Sequence, residues 1–219
     1  MERNVTRGTY DWWSRNQWAL RGLYGFVFLG RERTFRRRSI AALDLEAGDS
    51  VLELGCGPGN SLAPLRQAVG AEGRVVAVDY SDGMVDQAAG RVAAAGWENV
   101  DVIRGEATRP GVAAESFDAA YAAMSLSAMD DPAAAVEAAA ASLGPAGRLA
   151  VLDARPFQRL PLSLSNPIVK PAFRALTDWR PEIDVPAAMD SAFEKATVEE
   201  YHLGSIYVAR GERPTVTDR

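Results

Sequence analysis

The chain has 219 residues, 47% of them hydrophobic, enough for one sizeable core. Its one cysteine, Cys56, excludes an intrachain disulfide and points to a reducing, cytoplasmic setting. The net charge of −5 conceals an asymmetry, because residues 1–40 hold nine arginines against three acids, a balance of +6, and the rest stands at −11. An acidic body of that kind argues against a broad nucleic-acid surface.

The first residues lack the apolar core of a signal peptide, and the run Leu23–Leu29 is far short of the roughly 20 residues a membrane-spanning helix needs. Residues 10–43 read as helical, without proline and rich in aromatics (Trp12, Trp13, Trp18, Phe26, Phe28). Gly22, Gly25 and Gly30 are expected to break this stretch into two helices. A short apolar run at Val51–Leu54 leads into a glycine cluster, and residues 61–69 look helical. Val75–Val78 reads as a strand ending at Asp79, residues 82–95 as an alanine-rich helix, and Val100–Ile103 and Phe117–Ala122 as strands. Residues 132–143 form a helix with Pro132 in its first turn and Gly144 after it. Leu149–Leu152 is a strand, and residues 195–202 and 205–210 read as a hairpin joined at Gly204-Ser205.

Strand and helix alternate from residue 51 to 153, which predicts an α/β fold: a doubly wound, Rossmann-like, mostly parallel sheet closed by an antiparallel hairpin strand. Residues 154–194 interrupt the alternation with six prolines, and an insertion of that length is usually functional. The expected organisation is a helical lid at 1–40 and a main domain at 41–219 carrying the insertion 154–194.

Gly55, Gly57 and Gly59 follow a strand and precede a helix, where glycine lets the chain turn tightly and a ligand approach the main chain. The dinucleotide spacing G-x-G-x-x-G fits neither frame, since the sixth position is Asn60 or Leu62. The loop is G-x-G-x-G with an acid, Glu53, two residues ahead, and that suits a nucleoside cofactor without phosphate. Asp79, at the end of the next strand, is placed to accept hydrogen bonds from a ribose; its alternative is a helix cap, since Ser81 and Asp82 begin a helix there.

Glu53-Leu54-Gly55-Cys56-Gly57-Pro58-Gly59 resembles motif I of the class I S-adenosylmethionine-dependent methyltransferases. Val75–Asp79 is similar to that family's next acidic motif, Gly105-Glu106-Ala107 and Ser116-Phe117-Asp118 to its third and fourth, and Leu143–Leu149 to its turn into strand five. Tyr201–Pro214, with Tyr10-Asp11, resembles the subgroup of bacterial phosphatidylethanolamine and quinone methyltransferases. The resemblance implies S-adenosyl-L-methionine as cofactor. It runs Gly55, Gly57 and Gly59 beside the methionine and ribose, gives Asp79 the ribose hydroxyls, and sets Tyr80 and Met84 against adenine. Glu106 and Ala107 meet the adenine edge, where the family often has Asp in place of Glu106. Met124 and Ser125 line the methionine side and the substrate entrance; Glu53, Cys56, Asn60 and Tyr10 complete the implied contact set.

Methyl transfer from a sulfonium is a direct displacement, so the protein aligns electrophile and nucleophile. A carbon or phenol acceptor needs a base, whereas an amine with a free lone pair needs little help. The single histidine, His202, lies near the hairpin and reads as structural; Asp130 and Asp131 read as the start of a helix, and Cys56 as a small packing residue. No catalytic base and no metal-ligand cluster emerge. The absence favours an amine acceptor such as phosphatidylethanolamine, with quinone-type carbon methylation or a non-catalytic cofactor-binding regulator as alternatives. An oxidoreductase is disfavoured by Asn60 and by the lack of a Tyr-x-x-x-Lys pair. The expected partner is a small-molecule or lipid substrate. The basic, aromatic first 40 residues suggest peripheral contact with a membrane, unless those aromatics are core contacts and those arginines pair with the acidic body.

Overall fold

A computed structural model describes residues 12, 13, 15–177 and 179–215. Two helices come first, α1 (Gln17–Val27) and α2 (Glu32–Ala41). The stretch divides into two helices as expected, with the turn at Leu29 (φ 49°) and Gly30 (φ 73°), but α1 continues unbroken through Gly22 and Gly25. Each internal glycine costs a helix about 1 kcal/mol. Packing outweighs that cost, because Leu20, Tyr24, Val27 and Phe28 recur at helical spacing and face the body of the protein, where Phe28 is fully buried.

Next come β1 (Ser50–Leu54), α3 (Leu62–Val69), β2 (Arg74–Asp79), α4 (Asp82–Ala95), β3 (Val100–Arg104) and β4 (Phe117–Ala123). They are followed by α5 (Pro132–Ser142) and β5 (Leu143–Ala154), then α6 (Asn166–Thr177) and α7 (Val185–Ala192), and finally β6 (Phe193–Tyr201) and β7 (Ile206–Pro214). The seven strands form one sheet in the order β3-β2-β1-β4-β5-β7-β6. β1 to β5 are mutually parallel, and β7 is antiparallel to both β5 and β6. The architecture is thus the Rossmann-like sheet that the alternation implies.

Helices cover both faces of this sheet, so its central strands are buried on both sides. Val51, Val75, Ala77 and Tyr121 pack with Phe28, Phe35, Leu62, Leu65 and Ala88 from α1 to α4. On the other face Leu52, Leu54, Val76 and Val78 pack with Ala135, Val136 and Ala139 of α5 and with Val185 and Met189 of α7. Of the stretch 154–194, α7 is therefore part of the core, while α6 and the residues before it lie further out.

β5, β6 and β7 exceed their predicted length. β5 starts at Leu143, pairing with Phe117 before a register shift brings Arg148 opposite Ala119. The hairpin strands extend to Phe193 and Pro214 because β7 slots between β5 and β6 and gains partners on both sides, which periodicity alone does not reveal. Their joint is a tight turn at His202–Gly204 with φ values of 47°, 57° and 82°. No described helix is long and apolar enough to cross a membrane.

Glycines in the two kinds of element predict opposite responses to an added methyl group. Gly90, exposed in α4, has nothing within 4 Å of a would-be Cβ, so Gly90→Ala should stabilise the fold by about 1 kcal/mol. At Gly211 on β7 a Cβ would lie 2.6 Å from the ring of buried Phe193, so Gly211→Ala should cost about 1–3 kcal/mol. Urea unfolding of both variants checks the pair.

Candidate active site

In an open α/β sheet the crevice lies beyond the carboxyl ends of the strands where the winding reverses, here between β1 and β4. The glycine loop occupies that place. Gly55 has φ 68°, and a Cβ on it would sit 2.5 Å from that of Ser125, whose hydroxyl donates to the Leu54 carbonyl at 2.9 Å. Gly59 has φ 81°, and a Cβ there would meet Leu62 at 2.8 Å and Ala88 at 3.3 Å. One glycine lets the loop touch the segment after β4, and the other lets it touch α4. Gly57, with φ 53°, aims its N–H at Asp79 Oδ2, 2.8 Å away.

Asp79 is 8% exposed and also accepts from the Ser81 N–H at 3.0 Å. Burial pushes its carboxyl up, and bonds from the backbone N–H groups of Ser81, Gly57 and Tyr80 work against that. Both sequence readings of this residue therefore bear on it: it braces the entry to α4, whose N-cap is Ser81, and it forms part of the crevice wall. An ionised carboxylate offers about four acceptor sites, so capacity is left for a donor from the cleft.

The crevice has a volume of about 760 Å³. Of the residues singled out from sequence, Gly55, Cys56, Gly57, Asn60, Asp79, Tyr80, Met84, Glu106, Ala107 and Met124 line it. Glu53 and Gly59 lie buried behind the wall, and Tyr10 falls outside the described residues. Asn60 Oδ1 accepts from Arg91 Nη1 at 3.0 Å, and Cys56 is buried with its thiol pushed well up by desolvation, as befits a packing residue. Met124 holds φ 56°, unusual for a side chain of its size. Its segment is pinned by Ser125 and by buried Asp153, which accepts from the Ser127 N–H at 2.9 Å and the Ser127 hydroxyl at 2.6 Å.

Among the lining residues missed at the sequence level are Tyr24 on α1 and Arg36 on α2. Arg36 is 7% exposed, and its guanidinium donates to Glu32 at 2.9 Å and to the Ser61 hydroxyl at 2.7 Å. Around it lie Glu53, Tyr121 and Ser39, whose hydroxyl is 2.8 Å from that of Tyr121. Glu53 is 1% exposed and its Oε2 has no hydrogen-bond partner; desolvation raises its carboxyl to about 7, against the pull of Arg36 and Ser61. Burial pushes the Tyr24 hydroxyl up to about 12, so it is neutral and able to donate. Among nine arginines in the first 40 residues, only the inward spacing of Phe35, Arg36, Ser39 and Ile40 could have marked this one.

A family model described as "Methyltransferase domain" matches residues 51–147. The aklanonic acid methyltransferase DauC of Streptomyces sp. (strain C5) is 31% identical over 151 residues, covering 67% of this chain and 69% of that protein. The chain belongs to the class I S-adenosylmethionine-dependent methyltransferases. A demethylmenaquinone methyltransferase of Mycobacterium sp. (strain JLS) is 39% identical over 125 residues, 57% of this chain and 50% of that protein. Across such curated relatives the matched stretch spans between 33% and 69% of their own length. Among solved structures, a methyltransferase of Thermotoga maritima titled a possible histamine N-methyltransferase superposes with a TM-score of 0.68 at 22% identity, covering 93% of this chain and 99% of that one.

S-adenosylmethionine is the cofactor of this family, and the crevice fits it. The loop cradle admits no side chain at Gly55 or Gly59, and the unpartnered Glu53 oxygen is an orphaned acceptor beside the buried guanidinium. The displaced pKa of Glu53 gives a stability signature. A carboxyl raised from 4.5 to about 7 contributes stability that is full below pH 4.5 and is lost as the pH rises through 7. Unfolding free energy of the unliganded chain should therefore fall across that window by an amount on the order of 3 kcal/mol more than in Glu53→Gln. Chemical denaturation at a series of pH values measures the difference. Equal slopes in the two proteins would contradict it.

Proposed function

We propose that the chain transfers the methyl group of S-adenosylmethionine to a small, amphiphilic acceptor whose nucleophile sheds its proton without a protein base. The observation carrying this reading is the polar inventory of the cleft. Asp79 is bonded to loop amides, Asp131 caps α5 by accepting from Ala134 at 2.9 Å, and Asp130 is paired with Arg180. Tyr24 is too weak an acid to serve, and His202 lies edge-on against Phe35 with ring centroids 5.1 Å apart. Among the described residues no His/Cys/Asp/Glu cluster could hold a metal ion. Alignment is then the main work left to the protein.

Bound S-adenosylmethionine supplies a methyl carbon on a positively charged sulfur. Gly55 and Gly57 would run beside its methionine and ribose, and Asp79 would accept from the ribose hydroxyls. Tyr80, Met84, Glu106 and Ala107 would hold the adenine. Arg36 in the cleft wall would offer a cation to the carboxylate of the methionine end, with Glu53 buried behind it. The name of the relative that acts on aklanonic acid favours an acidic acceptor, already ionised in water; a quinone-type carbon acceptor, as in the name of the demethylmenaquinone methyltransferase, would need a base from outside the described residues. An amine such as phosphatidylethanolamine is the second reading, favoured by the missing base alone. The described parts of the expected lid, residues 15–40 and 154–177, would lie over the acceptor, in a cytoplasmic enzyme that meets its substrate at a membrane surface. Leu20, Tyr24 and Arg36 in the cleft wall support the first half of that lid.

Calorimetry should show binding of S-adenosylmethionine and S-adenosylhomocysteine but not NAD. Asp79→Ala should weaken binding by about 1.5–3 kcal/mol, ten- to a hundred-fold. NAD binding with no response to either sulfur nucleoside would overturn the reading. A screen of quinols, aromatic acids and phosphatidylethanolamine for S-adenosylhomocysteine formation distinguishes the acceptors, and silence from all of them favours a cofactor-binding regulator. Cofactor plus acceptor should slow amide exchange in both 12–40 and 154–184; no change in either segment would remove it from the lid.

A further inference from the structure

A helix that meets the core on one face ordinarily presents polar groups on the other. α1 is apolar on both. Its inward side carries Leu20, Tyr24 and Phe28, while Trp18, Phe26 and, just past its end, Leu29 point outward at 77%, 70% and 69% exposure. A second exposed apolar group lies in the insertion, where Leu160, Leu164 and Ile168 are 70%, 74% and 76% exposed, placed before, within and after the short helical turn Leu162–Ser165. Exposed apolar residues scattered singly need no explanation, but two groups of three are a different matter. Both sit toward the carboxyl ends of the strands: α1 walls the cleft with Leu20 and Tyr24, and the insertion departs from Ala154 at the end of β5.

The charges around them choose the partner. Arg15, Arg21, Arg31, Arg33 and Arg37 are exposed and, among the described residues, pair with no carboxylate. Glu32, the only acid in residues 12–40, is taken by Arg36. Lys170 is exposed beside Ile168. A second copy of this chain would set one arginine rim against another, which is repulsive. An anionic surface with an apolar interior satisfies both features at once.

We propose that this face docks on an anionic lipid bilayer, with Trp18, Phe26, Leu29, Leu160, Leu164 and Ile168 entering the boundary between headgroups and acyl chains and the arginines on lipid phosphates. The docking builds on the reading of an amphiphilic acceptor, and it turns the mouth of the cleft toward the layer that holds such a molecule. Each basic residue near an anionic surface is worth roughly fivefold in affinity at low salt, and salt removes that gain.

The test is co-sedimentation of the full chain with phosphatidylcholine vesicles, with and without phosphatidylglycerol, at low and high salt. Binding is expected to the anionic vesicles at low salt and should weaken roughly tenfold or more at high salt. The pairs Trp18→Ser/Phe26→Ser and Leu164→Ser/Ile168→Ser should each weaken it by about tenfold or more. Unchanged S-adenosylhomocysteine affinity in these variants shows that they remain folded. No binding to anionic vesicles at low salt overturns the proposal, as does binding that neither pair alters. A dimer in light scattering that either pair dissolves, without lipid binding, assigns the face to a second copy instead. Failure to sediment alongside intact methyl transfer refutes the docking and leaves the acceptor reading standing, because lipid binding requires no turnover.

Discussion

The buried guanidinium of Arg36 is the constraint on which the arrangement of the site depends. A charge taken out of water is tolerated only when its donors find good partners, and here Glu32 and the Ser61 hydroxyl take two of them. Ser61 is the N-cap residue of α3, directly after the glycine loop, and Ser39 on the same helix as Arg36 bonds to Tyr121 of β4. The N-terminal helices are thereby tied to the floor of the crevice by polar contacts as well as by Phe28 and Phe35. Tyr24 reaches the cleft because α2 is held in that position. Glu53 in the same cluster is left with an unsatisfied oxygen. A site that binds a charged ligand carries such an incomplete network before the ligand arrives, at a cost in stability.

The two halves of the crevice differ in physical character. The cofactor half is made of backbone and short side chains that cannot move far: the loop is held by Asp79 and Ser125, and the segment after β4 by Asp153. The wall toward α1 and α2 carries larger side chains, Leu20, Tyr24 and Arg36, and in the proposed reading it roofs the acceptor. The family match at 51–147 coincides with the rigid half. Related enzymes with different acceptors can share that floor while their roofs differ, since the floor recognises what they have in common.

Under the proposed reading, no residue among those described has to act as a base on the acceptor, and that fits this division. A nucleophile that is ionised or unprotonated in water needs a dry, correctly shaped chamber more than it needs proton transfer. The Tyr24 hydroxyl, kept neutral by burial, can orient an acceptor oxygen or nitrogen without competing for its proton. Under the proposed docking, the exposed apolar residues of α1 and the insertion, with the arginines around them, would bring the cleft to the lipid that holds an amphiphilic acceptor.

Local patterns along the chain were sufficient for the parallel sheet, the glycine loop and Asp79, because each follows from spacing over a few residues. The helix at 82–95 was readable to the residue for the same reason. Gly22 and Gly25 misled because their local penalty is small against the packing of Leu20, Tyr24 and Phe28, and packing partners lie elsewhere in the chain. The lengths of β5, β6 and β7 were hidden for a similar reason: β7 earns its full span by lying between two strands. Arg36 and Tyr24 could not be chosen from the nine arginines and two tyrosines of the first 40 residues, since only tertiary contact distinguishes a guanidinium held under the glycine loop from one in water. The amino-acid sequence by itself thus determined the fold and the class of cofactor, which rest on local backbone chemistry. The wall of the cleft, its buried guanidinium and the exposed apolar residues of α1 were decided by the tertiary structure, because burial is a property of the whole chain.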